Sequence, residues 1–84
     1  MKMIFDIETD DLHATKVWCI VVKEIEGDFY KFGPDELDDA LKLLASADTL
    51  IGHNIIGFDL PVLKRLYGFK YSGKIIDTLV MSRL

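Results

Sequence analysis

The sequence has few of the features that mark secreted, membrane-spanning or disordered proteins. It contains 1 cysteine in 84 residues, so an internal disulfide is excluded and a reducing, intracellular setting is expected. No apolar run approaches the ~20 residues that cross a bilayer, and acidic residues soon follow Met1, so neither a membrane span nor a secretion signal is predicted. The 2 prolines and 6 glycines form no linker or low-complexity tract.

An excess of basic residues is also lacking. The net charge is −4, which by itself argues against a nucleic-acid-binding surface. The charge is uneven, because residues 1–42 carry 5 basic and 11 acidic side chains whereas residues 43–84 carry 5 and 3. The acidic half is either a solvated surface or a source of ligands for hard cations, which would reverse the local charge.

What is present is enough apolar material for a core, since 50% of the residues are hydrophobic. Five segments are predicted as strands from their β-branched and aromatic residues and flanking turn signals: Lys2–Ile7, Lys16–Ile25, Phe29–Phe32, Asp48–Gly52 and Ile75–Ile76. The first three are expected to form an antiparallel meander. The strand–helix–strand connection after them predicts a parallel pair, hence a mixed α/β sheet.

Three helices are predicted from apolar spacing and start signals. The first helix begins at Pro34. The second runs from about Asp59 to Tyr67. The third runs from Thr78 to Leu84, with Asp77 as its N-cap. The apolar faces of the first two are listed together: Leu37, Ala40, Leu41 and Leu44, then Leu60, Leu63, Leu66 and Tyr67. Trp18 and Cys19 are predicted to lie in the core on the second strand.

Two acidic side chains sit at the end of the first apolar strand. Asp6 and Glu8 are two residues apart, so strand alternation places them on one face. Two like charges held together are unfavourable unless a cation offsets them, and Mg²⁺ and Mn²⁺ prefer oxygen ligands. The alternative is an exposed acidic strand end that continues into a solvated loop.

A second polar segment, His53–Asp59 (HNIIGFD), lies between a predicted strand and a predicted helix. Such strand-to-helix junctions are where α/β sheets bind ligands. The alternative for Asp59 is a helix N-cap followed by Pro61 in the first turn. Capping leaves the His53–Asn54 pair unexplained, although His53 itself is predicted to be structural, because two histidines and one cysteine do not make a zinc site.

Together these segments resemble the DnaQ-like (DEDD) 3′→5′ exonuclease superfamily. Phe5–Thr9 (FDIET) matches its first motif, DxE, and His53–Asp59 matches its second, HNxxxFD. Ile76–Leu79 (IDTL) is a softer match, and the run from Asp77 to Leu84 looks most similar to the proofreading domain of phage family A DNA polymerases. The resemblance implies a ribonuclease H-like mixed sheet, an antiparallel meander followed by parallel strands, with flanking helices.

The resemblance also implies a two-metal site. In this family the first Asp bridges two divalent metals and the Glu binds one of them, and those roles fall on Asp6 and Glu8. The Asp of the second motif, here Asp59, ligates the second metal directly or through water. Two Mg²⁺ or Mn²⁺ ions about 4 Å apart activate the attacking water and stabilise the leaving 3′ oxygen. The implied partner is a single-stranded or frayed DNA 3′ end.

Four more residues are implied to contact the substrate: Ile7, Thr9, Asn54 and Phe58. Each also has a structural alternative. Ile7 and Phe58 are suited to the core, Thr9 to the exit from the strand, and Asn54 to bonding the backbone of its turn. Asp77 is assigned mainly to helix capping rather than to a metal.

The third motif of the family, which supplies a fourth carboxylate, has no match between Asp59 and Leu84. The resemblance therefore covers the N-terminal portion of an exonuclease domain over residues 1–84, truncated before the last core helix. It implies weak or no activity for this chain alone, completion by the rest of the domain or by a DNA polymerase chain, and a bacterial or phage-infected host cytoplasm. The alternative is a catalytically inactive, exonuclease-like interaction module bound to a polymerase partner.

Overall fold

The computed structural model describes residues 1–79. Its strands and helices, in chain order, are β1 Lys2–Thr9, β2 Val17–Glu24, β3 Phe29–Phe32, α1 Leu37–Ala45, β4 Thr49–Gly52, α2 Leu60–Tyr67 and β5 Lys74–Asp77. A 3₁₀ turn, Pro34–Glu36, precedes α1, and a π-helical turn, Ile55–Asp59, precedes α2. The helix predicted over Thr78–Leu84 begins as expected at Thr78, but its residues 80–84 lie outside the described part of the chain.

The five strands form one mixed sheet in the order β3-β2-β1-β4-β5. β1 is antiparallel to β2, and β2 is antiparallel to β3, which confirms the predicted meander. β1 is parallel to β4, and β4 is parallel to β5, which confirms the parallel arrangement expected after the first helix. The predicted α/β fold class, a ribonuclease H-like mixed sheet with flanking helices, is therefore confirmed.

The core lies on one face of this sheet. Phe5 is opposite Val22 and Ile7 is opposite Ile20, and all four side chains are buried. The buried residues of the helices join the same cluster: Leu37, Ala40 and Leu44 from α1, Val62 and Leu63 from α2. Both described helices therefore cover the same face. Neither helix within residues 1–79 combines the length and the apolar character that a bilayer crossing requires.

Two predictions about buried aromatic residues are wrong. Trp18 is 47% exposed, because the ladder shifts by one residue: Glu8 pairs with Cys19 but Thr9 pairs with Val17, which leaves Trp18 as the extra residue of a bulge. Cys19 is buried, as predicted. Tyr67 is 38% exposed, since the apolar face of α2 turns towards Val62 instead, and its hydroxyl accepts a 3.3 Å hydrogen bond from the Val17 amide.

Gly52 ends β4 at a point where no side chain fits. A Cβ there would overlap the Ile55 side chain and stand 2.9 Å from the Phe5 carbonyl oxygen. We predict that Gly52→Ala lowers the free energy of unfolding by about 2 kcal/mol, because two backbone segments must move apart. Urea denaturation of the variant checks this value. Gly33→Ala is the matched control, because its Cβ has only one neighbour, at 3.7 Å, and a similar loss there would refute the steric explanation.

Candidate functional site

β1 carries the first two acidic residues to one end of the sheet. Phe5 and Ile7 are buried on the core side, whereas Asp6 and Glu8 are exposed on the opposite side. The prediction that the two carboxylates share a face is therefore confirmed. The side chain of Ile7 belongs to the core, so its placement favours the structural alternative over a substrate contact.

The Glu8 side chain already has a neighbour on β2. Glu8 is directly opposite Cys19 in the ladder. Burial raises the pKa of the Cys19 thiol, and the charge of Glu8 and a hydrogen bond with that carboxylate raise it further. The thiol therefore stays protonated and donates towards Glu8.

β4 is shorter than β1, and this difference creates the site. The parallel ladder between them ends at the pair Ile4–Ile51, although β1 continues to Thr9. The π-helical turn Ile55–Asp59 occupies the space beside the rest of β1, where the Asp59 carboxylate comes within electrostatic reach of Asp6 and of the Ile7 amide. Asp59, which lies 53 positions after Asp6 in the sequence, is thus brought to the end of β1 that carries Asp6.

Asp59 and Asp77 are the two buried acids of this region within residues 1–79. Asp59 is 4% exposed, and its Oδ2 atom is buried with no hydrogen-bond partner among the described residues. Burial raises the pKa of Asp59 to about 7, helped by the negative charges of Asp6 and Asp77 and opposed by the Ile7 amide. Its side chain makes no capping hydrogen bond at the start of α2, so helix capping does not account for this buried carboxylate.

Asp77 holds the turn that carries Asp59. Its carboxylate accepts hydrogen bonds from the amides of Asn54 (2.8 Å), Ile56 (2.9 Å) and Leu79 (2.9 Å). The bond from Leu79 is the predicted N-cap. The other two, which the sequence did not reveal, tie the end of β5 to the turn after β4.

The remaining polar residues of the two motifs shape or contact the neighbouring turns. Asn54 adopts a left-handed conformation (φ 59°), which asparagine tolerates better than most residues, and its side chain is exposed. The His53 ring lies 3.0 Å from the Thr78 hydroxyl, in keeping with a structural role. The Thr9 hydroxyl donates to the Asp11 carbonyl at 2.9 Å, which fits its predicted alternative as a strand-exit residue.

A cavity of about 400 Å³ lies between the β1–β2 loop and the start of α2. It is lined by Leu12, His13, Gly57, Phe58, Pro61, Val62 and Arg65. Leu12 is 84% exposed and offers apolar surface at the cavity wall, and sequence reasoning did not single it out. Phe58 is half-buried and packs against the core, so it belongs both to the core and to the cavity wall.

The β1–β2 loop beside the cavity is held by local bonds. The Asp10 carboxylate accepts hydrogen bonds from the Thr15 hydroxyl (2.5 Å) and from the Thr15 and Lys16 amides (3.0 and 3.1 Å), which lowers the pKa of Asp10 to about 2. Arg65 reaches across from α2 and donates to the Ala14 carbonyl at 2.5 Å. The loop is therefore fixed to the helix that begins at Asp59.

The structure thus brings Asp6 and Asp59 together and directs Glu8 towards Cys19. Within residues 1–79, no three histidine, cysteine, aspartate or glutamate side chains already form a cluster that could hold a metal ion. The donors that are present suit a hard divalent cation, because an unpartnered buried carboxylate oxygen beside a second carboxylate is an environment that a cation would stabilise.

Replacing Asp77 tests its role in shaping the turn. We predict that Asp77→Asn lowers the free energy of unfolding by about 2 kcal/mol, because a neutral amide accepts fewer and weaker hydrogen bonds from the three amides. Hydrogen exchange measured by NMR should accelerate most at Asn54 and Ile56. Asp39→Asn, an exposed change on α1, is the control. Unchanged exchange at Asn54 and Ile56 would contradict the role assigned to Asp77.

The raised pKa of Asp59 has a consequence for stability in metal-free buffer. The pKa of Asp59 is about 7 in the folded protein, whereas an ordinary aspartate in the unfolded chain has a pKa of 3.8. The free energy of unfolding therefore falls as the pH rises between these two values, and the whole loss is present above pH 7. We predict that Asp59→Asn is more stable than wild type at pH 8 by about 2 kcal/mol, allowing for solvent screening, and that the gain disappears near pH 4. Urea melts at both pH values measure it, with Asp39→Asn as the control, and an equal effect at both would refute the assigned cause.

No protein-family model matches the sequence, and no curated protein matches it. Among solved structures, the chain is similar to the family B DNA polymerase from the hyperthermophilic archaeon Pyrobaculum calidifontis, with a TM-score of 0.73 at 18% identity. The match covers 98% of this chain but only 16% of the polymerase chain. It supports the ribonuclease H-like fold and gives no support to the predicted phage family A subtype.

Proposed function

We propose that this chain is the N-terminal portion of a 3′→5′ exonuclease domain of the proofreading kind associated with DNA polymerases. The observation that carries the proposal is the buried, unpartnered carboxylate oxygen of Asp59, which lies within electrostatic reach of Asp6. Such a group does not stabilise the fold, because burying an acid without a hydrogen-bond partner costs free energy. The two segments that resemble the motifs of the exonuclease superfamily supply Asp6 and Asp59, and the charge of Asp6 acts on the Asp59 carboxyl.

Asp6, Glu8 and Asp59 are the residues that would hold two Mg²⁺ or Mn²⁺ ions. Such ions supply an activated water and stabilise the leaving 3′ oxygen when bound. Asp59 must first release the proton that its raised pKa retains near pH 7. Glu8 must turn away from the Cys19 thiol, a rotation that an exposed side chain at the end of the sheet can make.

The cavity between the β1–β2 loop and the start of α2 is the proposed site of the terminal nucleotide. Leu12 and Phe58 offer apolar surface for a base or sugar, and His13 and Arg65 stand at its wall as donors for phosphate. The volume of about 400 Å³ falls in the range of small-molecule sites. Asn54 and Thr9 contribute to this site by fixing the conformation of the backbone around it. The proposed substrate is a single-stranded or frayed DNA 3′ end.

The neighbouring structure is a DNA polymerase, and this chain is similar to 16% of it. We infer that the remaining carboxylate of the site comes from the rest of the exonuclease domain or from a polymerase chain. A second candidate, a catalytically inactive module that binds a polymerase, is favoured by one observation: Glu8 is already engaged by Cys19. The two candidates differ in whether the acids bind cations and nucleotide.

Product binding tests the proposal without requiring turnover. We predict that Mn²⁺ at ten times its Kd at pH 8 stabilises the chain by about 1.4 kcal/mol, or roughly 8 °C in Tm, and that the same Mn²⁺ concentration stabilises it less at pH 6. Thymidine monophosphate with Mg²⁺ should then shift NMR signals of Leu12 and Phe58. Asp6→Asn and Asp59→Asn should lose both effects, whereas Asp39→Asn keeps them.

Three results would decide between these possibilities. Cation binding that survives both Asp6→Asn and Asp59→Asn would place the ions elsewhere and reject the metal site. Absence of any cation effect at millimolar concentration, with the fold intact by NMR, would favour the inactive interaction module. Slow shortening of 3′ ends in Mn²⁺ that stops in Asp6→Asn would show that three carboxylates suffice for some activity.

A further inference from the structure

Arg65 connects α2 to the β1–β2 loop that faces it. Its guanidinium Nη2 atom donates a hydrogen bond of 2.5 Å to the carbonyl oxygen of Ala14, 51 residues earlier in the chain. Ala14 is fully buried, so the loop end of this contact is fixed in the core. Arg65 also lines the cavity between the loop and α2. One side chain therefore both borders the cavity and joins its two sides.

The β1–β2 loop contains no helix or strand, so its shape depends on side-chain hydrogen bonds. The Asp10 carboxylate closes the loop on itself, because its partners Thr15 and Lys16 belong to the same loop. These bonds set the internal shape of the loop but do not fix its distance from α2. The contact between Arg65 and Ala14 does fix that distance, since it joins a helix to the loop.

Two residues on the loop side of the cavity, Leu12 and His13, immediately precede Ala14 and are exposed. We call these two residues the loop wall; Phe58 lies on the other side. A mobile wall must be ordered when a ligand binds, whereas a wall that is fixed beforehand avoids this entropic cost. The hydrogen bond from Arg65 fixes the peptide group next to His13 and so restricts the loop wall before any ligand arrives.

We propose that Arg65 is a positioning residue of this cavity. By holding the Ala14 carbonyl, it keeps the loop wall in place against the base and sugar of a bound nucleotide. The inference rests on the proposed function, which places the terminal nucleotide here. The role differs from a contact with phosphate, because it acts on base and sugar binding even where no phosphate is present. Arginine can serve both ends, since its planar guanidinium has five N–H donors and one bond to a carbonyl leaves others free.

Thymidine and thymidine monophosphate, each with Mg²⁺, test this role on the 84-residue chain. The substitution Arg65→Met keeps a long side chain and removes its donors. We expect the Kd of thymidine to rise about tenfold, and that of thymidine monophosphate by at least as much, because the ligand must then order the loop wall itself. Arg65→Lys retains one donor group and should restore part of the affinity for both ligands.

Lys64→Met is the matched control for this comparison. Lys64 is the neighbouring residue in the last turn of α2 and carries the same charge, but it does not line this cavity. Its replacement therefore removes one positive charge from the same part of the helix without loosening the loop wall. Both ligands should bind Lys64→Met as tightly as they bind the wild-type chain.

Two further measurements distinguish positioning from a general loss of structure. The turn Ile55–Asp59 is held by Asp77, which lies away from the loop, so Arg65→Met should keep the stabilisation that Mn²⁺ gives the wild-type chain at pH 8. NMR order parameters of the backbone amides of Leu12 and His13 should fall in Arg65→Met even without ligand, because the tether to α2 is gone.

Each contrary result has a distinct meaning. Weaker binding of thymidine monophosphate alone would show that Arg65 acts only as a phosphate donor, which overturns the inference and leaves the proposed function intact. Unchanged order parameters at the loop wall, or loss of the Mn²⁺ effect in Arg65→Met, would also reject the positioning role. Failure of the wild-type chain to bind either ligand would reject both the nucleotide site and this role. Arg65→Leu provides a second variant without donors should Arg65→Met fail to fold.

Discussion

The site depends on three hydrogen bonds that converge on one carboxylate. Asp77, at the end of β5, accepts the amides of Asn54 and Ile56 as well as that of Leu79, and so fixes the turn that returns from β4 towards β1. Without this anchor, the left-handed Asn54 and the π-helical turn after it have little to hold them. Asp59 lies at the end of that turn, so its approach to Asp6 follows from the position of Asp77.

That approach places two acids where electrostatics opposes them. The loss of water and the charges of Asp6 and Asp77 act against ionised Asp59, whereas the backbone amides of Ile7 and of Asp59 itself favour it. Packing of Ile55, Val62 and Leu63 holds the arrangement in spite of this cost.

Much of the fold could be predicted from local patterns. The bounds of β3 were predicted as observed, because two turn signals enclose a short aromatic run, and β5 followed from two isoleucines before an aspartate. The pairing of Asp6 with Glu8 on one face needed only the alternation of a strand. These features are encoded within a few residues of each other, where propensity and periodicity act.

Other features could not be predicted from the sequence, because they arise from contacts between distant segments. The Asp77 bonds to Asn54 and Ile56 span 23 and 21 residues, and no local pattern distinguishes such a carboxylate from a simple helix cap. The exposure of Trp18 results from a one-residue bulge that strand propensity does not register. Leu12 was recognisable in principle, since an isolated leucine among acids and polar residues has no core to join.

The bulge at Trp18 provides the protein with an intrinsic fluorescence probe. The chain has 1 tryptophan, 47% exposed, with the Lys16 ammonium 4.2 Å from its ring and Glu8 and Cys19 paired immediately beside it in the ladder. Indole emission is sensitive to nearby charge and to water, so a rearrangement of Glu8 changes the field at this single fluorophore. Spectroscopy on the unlabelled protein thereby reports on the acidic end of the sheet, with no background from a second indole.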